Sequence, residues 1–324
     1  MLEAFILFVL GLVILLVGAE GLVRGASSIA TRSNISPLVI GLTIVAFGTS
    51  MPELVIAITA IFSESTDIGI GNIIGSNIAN VFFALGIAAL VGTLTVSRST
   101  IKKEIPFLIV ASGILLIMSL DTLLVPGVNS IGRLDGVGLL ILFTLFMWYV
   151  YTLSRKPPPI GTKLLQLLRF NAKSYPYAIS LTMSVAGLTG LAVGAMLTID
   201  GAEILARAAG IPELAIGLTV VAVGTSLPEL ATTVVAVYRR KSDLAIGNIV
   251  GSNIFNILWV IGVASLVSPL AISDPLLLNI GIAVIASIVL FVVLIIGKMR
   301  LNRGAGVLFL GLYALYVFYL MTSG

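Results

Sequence analysis

Long apolar runs, cut by short polar breaks, dominate the pattern along this chain. Ten runs can be separated, at about 2–22, 36–61, 68–92, 105–120, 134–153, 177–198, 212–237, 244–268, 275–297 and 304–321. Most approach or exceed the ~20 residues that a helix needs to cross a bilayer. Strand-type alternation is absent, so a β-barrel is not expected. The pattern predicts an all-α integral membrane protein of ten transmembrane helices.

Composition agrees. The 324 residues are 59% hydrophobic and 10% charged, against roughly 25% charged in a soluble domain. The first apolar run begins at once, with Glu3 and no basic residue ahead of it, which argues against a cleaved signal peptide. There is no cysteine and no histidine. Disulfides, thiolate ligands and the usual proton shuttle are therefore excluded.

Lys and Arg set an orientation. Sixteen of the 18 basic residues follow odd-numbered runs, and only Arg133 and Arg207 fall on the other side. By the excess of positive charge in cytoplasmic loops, both termini are expected outside. The segment 154–176 is expected in the cytoplasm of a cell (plasma) membrane. The net charge of +4 is thus a matter of topology, and no nucleic-acid partner is expected. Within 154–176, "RKPPPIGTK" reads as a stiff linker. "KLLQLLRF" could lie on the membrane surface, although a solvated connector is the plainer reading.

The chain repeats itself at an offset of 176 residues. "IGLTIVAFGTSMPEL" (40–54) matches "IGLTVVAVGTSLPEL" (216–230) at 12 of 15 positions. "GNIIGSNIAN" (71–80) matches "GNIVGSNIFN" (247–256) at 8 of 10, and Asp67 matches Asp243 between them. A duplicated unit of five runs enters the membrane from opposite sides, because five is odd. The expected domains are residues 1–153 and 177–324, joined by 154–176. Inverted repeats of this kind typify secondary transporters, with the substrate site near the midplane.

Each repeat carries one deep carboxylate, Glu53 or Glu229. A charge at that depth costs at least ~2.5–3.5 kcal/mol. A single such glutamate can be explained as a protonated hydrogen-bond donor between helices, but a duplicated pair in duplicated motifs points to an ion site. Pro52 and Pro228 cannot donate helical N–H bonds, so each is expected to break its helix and free carbonyls near Gly48–Thr49 and Gly224–Thr225. Thr49 and Glu53, like Thr225 and Glu229, are i, i+4 neighbours expected to share a helix face. Ser76 with Asn80, and Ser252 with Asn256, offer neutral oxygens at the same spacing, where interhelical hydrogen bonding is the rival reading. Gly71, Gly75, Gly247 and Gly251 read as close-packing positions, and Asn72, Asn77, Asn248 and Asn253 as helix-to-helix bonds.

An all-oxygen donor set suits hard cations. Ca2+ takes six to eight oxygens, and two bidentate glutamates with two threonine carbonyls would supply six; Mg2+ prefers to keep its waters. The two carboxylates carry at most −2, which one divalent or two monovalent ions neutralise. An empty site would carry unpaired charge through a low-dielectric barrier, so obligatory exchange is expected. A cation channel could use similar groups, but matched half-sites in an inverted repeat favour a carrier. An enzyme would need a nucleophile–base pair or a metal triad, and no His or Cys is there to build one.

The paired "GTSxPE" and "GNxxGSN" motifs resemble the two α-repeats of the calcium/cation antiporter superfamily, in its sodium/calcium exchanger branch. The resemblance covers essentially the whole chain and looks prokaryotic. It implies exchange of Ca2+ for Na+ by alternating access, with no cofactor beyond these transported ions, in a chain expected to work as a monomer in the lipid bilayer. Residue by residue, it implies Glu53 and Glu229 as central Ca2+ ligands shared with Na+, and Thr49 and Thr225 as further oxygen ligands. Ala46 and Ala222 would give carbonyls to Na+ sites lined by Ser50, Ser76, Ser226 and Ser252, with Asn80 and Asn256 beside the centre. Potassium-dependent relatives usually carry aspartate where Asn256 stands, so K+ coupling is disfavoured. Proton-coupled relatives usually differ at "GTSxPE". The large regulatory loop of eukaryotic exchangers after the fifth run is missing.

Overall fold

The computed structural model describes residues 2–63, 66–120, 129–155, 175–209 and 222–323. Eight helical stretches among them are long and apolar enough to cross a membrane. The chain is a helical, multi-pass membrane protein. Its large exposed side chains are apolar, Trp148, Phe62, Phe318 and Ile117 among them, as a lipid-facing surface requires.

Two long helices form one side of the molecule. Helix α1 (Leu2–Arg32) and helix α10 (Tyr177–Ala208) lie against each other along most of their length. Small residues recur every seven positions on both: Ala4, Gly11, Gly18 and Gly25 face Ser180, Gly187, Gly194 and Gly201. A Cβ at Gly11 would lie 2.5 Å from the Thr198 amide nitrogen, and one at Gly18 would lie 2.7 Å from that of Leu191. The backbones approach this closely because nothing projects between them. Both helices run about ten residues beyond the apolar runs 2–22 and 177–198. The extension of α1 buries Val23, Gly25, Ala26, Ser28 and Ala30, so packing continues after hydropathy has faded, and Arg24 lies on the helix rather than in a loop.

The core is built from the repeated motifs. Its first half comprises α2 (Pro37–Ile40), a π turn (Gly41–Val45), α3 (Ala46–Thr49) and α4 (Met51–Phe62). Next come α5 (Thr66–Ala79), a second π turn (Asn80–Ala84) and α6 (Leu85–Val91). After strand β1 (Leu94–Thr95), α7 (Arg98–Lys102), α8 (Glu104–Met118), β2 (Ser130–Ile131) and α9 (Arg133–Ser154) close the first half. The second half follows α10 with α11 (Ala222–Thr225), α12 (Leu227–Tyr238), α13 (Ser242–Ile254), a π turn (Phe255–Val260) and α14 (Ile261–Val267). It ends with β3 (Leu270–Ala271), α15 (Asp274–Ile296), β4 (Arg300–Leu301) and α16 (Arg303–Ser323). The run expected at 212–237 is described only from Ala222 onward, and most of the 154–176 linker, with "KLLQLLRF", lies outside the described residues.

The two halves meet reciprocally. β1 pairs with β4, and β2 with β3, both antiparallel. Helices α5 and α13, which carry the "GNxxGSN" motifs, are largely buried at the centre. Gly247 and Gly251 allow this on one side, where added Cβ atoms would lie 2.7 Å from the Leu38 carbonyl oxygen and from the Ala46 Cβ. One buried acid escaped the sequence reading. Glu104 is fully enclosed and accepts a hydrogen bond from the Tyr149 hydroxyl, tying α8 to α9.

Candidate ion-binding site

The helix interruption falls at the serine two residues before each proline. Ser50 adopts φ −86° and ψ 2°, and Ser226 φ −87° and ψ 1°. Both occupy the sparsely populated bridge region. Pro52 and Pro228 then sit in the first turn of α4 and α12, where a missing N–H costs nothing. The interruption corrects one expectation. Thr49 ends α3 and Glu53 lies in the first turn of α4, so a bend at Ser50 falls between them; Thr225 and Glu229 are divided in the same way at Ser226.

Each threonine turns across to the other repeat instead. Thr49 Oγ1 lies 3.1 Å from Ser252 Oγ and 3.2 Å from Asn248 Oδ1. Thr225 Oγ1 lies 3.3 Å from Ser76 Oγ and 3.0 Å from Asn72 Oδ1. Equivalent residues thus make equivalent contacts, which clamp α3 onto α13 and α11 onto α5.

The asparagines bind the two central helices in the same reciprocal way. Asn253 Nδ2 donates to the Asn77 carbonyl at 3.1 Å, and Asn77 Nδ2 to the Asn253 carbonyl at 3.5 Å. Asn80 Nδ2 donates to Asn253 Oδ1, and Asn256 Nδ2 to Asn77 Oδ1, both at 3.0 Å. Asn80 and Asn256 both fall in π turns, which locally interrupt the helical ladder and recur at functional sites. Their amide nitrogens are therefore anchored while their Oδ1 atoms remain unpartnered. Interhelical bonding and an available oxygen, posed as rivals from sequence, coexist in one side chain.

Glu53 and Glu229 are fully buried, and neither carboxylate has a hydrogen-bond partner. Ser76 lies beside the first, Thr49 and Ser252 lie beside the second, and the two carboxylates are within electrostatic reach of each other. Ser50 Oγ and Ser226 Oγ are also buried and unpartnered. Eight buried oxygens in four equivalent pairs are thus left open: Ser50 with Ser226, both oxygens of Glu53 with those of Glu229, and Asn80 with Asn256. Buried polar groups are normally satisfied, and each orphan costs ~1–3 kcal/mol. Eight of them, paired by repeat, are what a desolvated cation would satisfy. The threonine and Ser76/Ser252 hydroxyls are engaged with each other, so Thr49 and Thr225 can give an ion their carbonyls more readily than their hydroxyls. Ala46 O already accepts the Ser50 amide at 3.0 Å and lies 3.4 Å from the Thr49 hydroxyl. Ala222 begins α11.

The sequence reading did not single out Thr232 and Thr233. Asn248 Nδ2 donates to Thr233 Oγ1 at 3.0 Å and to the Glu229 carbonyl at 3.3 Å. The first repeat has Ala57 at the equivalent position, and Asn72 Nδ2 is unpartnered.

Known proteins resemble this chain along its whole length. The family described as sodium/calcium exchanger protein matches residues 3–152 and 179–322. This chain belongs to that family. The sodium/calcium exchanger MaX1 of Methanosarcina acetivorans is 30% identical over 97% of both chains. The inner membrane protein YrbG of Escherichia coli is 35% identical, over 96% of this chain and 94% of its own. Among solved structures, the sodium-calcium exchanger NCX_Mj soaked with Na+ and Ca2+ superposes with a TM-score of 0.80 at 32% identity, over 97% of both chains.

Proposed function

We propose that this exchanger family member is a secondary antiporter that moves Ca2+ against Na+ by alternating access, with Glu53 and Glu229 holding the transported ions. The carrying observation is the set of eight unpartnered oxygens buried between the repeats. The two carboxylates supply the charge, and Ser50, Ser226, Asn80 and Asn256 supply neutral oxygens. The carbonyls of Thr49, Thr225, Ala46 and Ala222, with the Ser76 and Ser252 hydroxyls, complete a hard-cation environment suited to Ca2+ or Na+.

Charge arithmetic gives the coupling. One Ca2+ or two Na+ neutralise the carboxylates; an empty site leaves two buried anions, at several kcal/mol each. Loaded forms therefore switch and the empty form does not. The ten-helix, inverted arrangement of residues 1–153 and 177–324 gives the two access states, each repeat opening toward one side. The positive-inside charge distribution supports outward termini and a cytoplasmic 154–176 segment, and the inner-membrane relative supports the plasma membrane. The protein is proposed to act as a monomer in lipid, with no cofactor and no enzymatic step.

Radiolabelled Ca2+ uptake into proteoliposomes tests this reading. Uptake should require Na+ or Ca2+ on the opposite side and fall to background when the lumen holds only an impermeant organic cation. Equally fast uptake without a counter-ion would refute exchange.

A further inference from the structure

One buried amide holds the turn of α12 that bears Glu229. Asn248 on α13 is fully buried, and its Nδ2 donates to Thr233 Oγ1 at 3.0 Å and to the Glu229 carbonyl at 3.3 Å. Glu229 and Thr233 stand four residues apart, one above the other on the helix. The amide therefore clasps a single turn of α12 at both edges. Its Oδ1 accepts from Thr49 Oγ1 of the first repeat at 3.2 Å. Thr49 in turn lies beside the Glu229 carboxylate. Asn248 thus reaches Glu229 twice, through its backbone and through the hydroxyl next to its charge.

The first repeat has no such clasp. Asn72 Oδ1 accepts from Thr225 Oγ1 at 3.0 Å, as the repeat requires. Its Nδ2 is enclosed and has no partner. Ala57 stands where the second repeat has Thr233, so no hydroxyl is there to receive it. Ala57 and Thr233 are both buried. The fold accepts a small apolar side chain at this place in one repeat, so packing alone does not call for the Thr233 hydroxyl in the other. What the hydroxyl supplies is the acceptor that sets the Asn248 amide. A buried polar network is rigid when it is satisfied and loose when it is not.

We propose that Thr233 is a positioning residue for ion binding: by anchoring Asn248 it holds the Glu229 backbone and the Thr49 hydroxyl in the geometry that receives the ion. Thr233 acts through Asn248 and not on the ion itself. This rests on the reading that Glu53 and Glu229 hold the transported ions. It deepens that reading by giving the two carboxylates unequal support.

The test uses Thr233→Val, which keeps the shape and removes the hydroxyl, and Thr233→Ser, which restores it. In proteoliposomes, the Ca2+ concentration that half-saturates Na+-driven uptake should rise about fivefold in Thr233→Val, the equivalent of one lost hydrogen bond. The rate at saturating Ca2+ should stay near that of the wild type, and Thr233→Ser should return the wild-type half-saturation. In detergent, the Ca2+ concentration that half-stabilises the purified protein against heat should shift in parallel, while the ion-free melting temperature hardly moves. In an Asn248→Ala background, Thr233→Val should add no further shift. An unchanged Ca2+ dependence in both assays overturns the proposal, and a lower ion-free melting temperature beside it would mark a structural role. A full additional shift in the Asn248→Ala background overturns it too, because Thr233 would then not act through Asn248. The Thr233→Val and Thr233→Ser arms decide by themselves if Asn248→Ala does not fold. A wild type that Ca2+ neither saturates nor stabilises would instead refute the ion-site reading beneath it.

Discussion

Asn77 and Asn253 each donate a side-chain hydrogen bond to the other's backbone carbonyl, at 3.5 and 3.1 Å. Their Oδ1 atoms then accept from Asn256 and Asn80 respectively. Four asparagines thus lock α5 to α13, and two of them keep a buried oxygen without a partner. The lock is rigid because every amide nitrogen in it is used.

Removing one strut should loosen the open oxygen it supports. Asn77→Ala deprives Asn256 Nδ2 of its acceptor, so Asn256 can turn away from the ion. The half-saturating Ca2+ concentration for transport should rise about tenfold, the equivalent of one lost hydrogen bond to a buried polar group. Asn253→Ala should act alike through Asn80. Unchanged Ca2+ dependence in both variants would show that these oxygens are not used.

Asn256→Asp tests the charge arithmetic. A third carboxylate raises the site to −3, so one Ca2+ leaves a net buried charge. Na+-free Ca2+/Ca2+ exchange should slow by an order of magnitude or more, given several kcal/mol per uncompensated buried charge. An added monovalent cation should restore part of it. Measuring the exchange rate with and without K+ decides this, and a rate that matches the wild type under both conditions would contradict it.

The seam between α1 and α10 makes a steric prediction. Gly194→Val would place a Cβ 2.5 Å from the Leu15 amide nitrogen, whereas Gly281 on α15 has open space around it. The first change should cost upwards of ~1–3 kcal/mol by overpacking and lower the yield of monodisperse protein. Gly281→Ala should be tolerated. Melting curves of the purified variants separate the two.

The ion pair between Glu20 on α1 and Arg239 at the end of α12 joins the long helix pair to the helix that bears Glu229; Arg239 Nε donates at 3.0 Å. Both side chains are partly exposed, so Glu20→Gln should change stability by no more than ~1 kcal/mol, and that effect should fade in high salt. A large loss of thermal stability that persists at high salt would show the pair to be a principal tie of α1 to the core.

Much of this was legible in the amino-acid pattern, because a bilayer leaves few options. Apolar runs must become helices there, and ungapped repetition at a 176-residue offset puts Glu53 and Glu229 at equivalent positions. What could not be read was set by contacts across the repeats. The i, i+4 spacing of Thr49 and Glu53 suggested one face, but the bend at Ser50 turns Thr49 to Ser252 and Asn248. Hydropathy ended α1 near residue 22, while small-residue packing carries it to Arg32. The π turns at Asn80 and Asn256 leave no compositional mark.

The central claim is that Glu53 and Glu229 hold the transported ion together. It is tested most directly by Na+-driven uptake of radiolabelled Ca2+ in proteoliposomes of Glu53→Gln and Glu229→Gln. Each substitution keeps the shape of the side chain and removes one of two buried charges, so each should reduce uptake to near background. Na+-driven uptake at wild-type rates in both variants would contradict it.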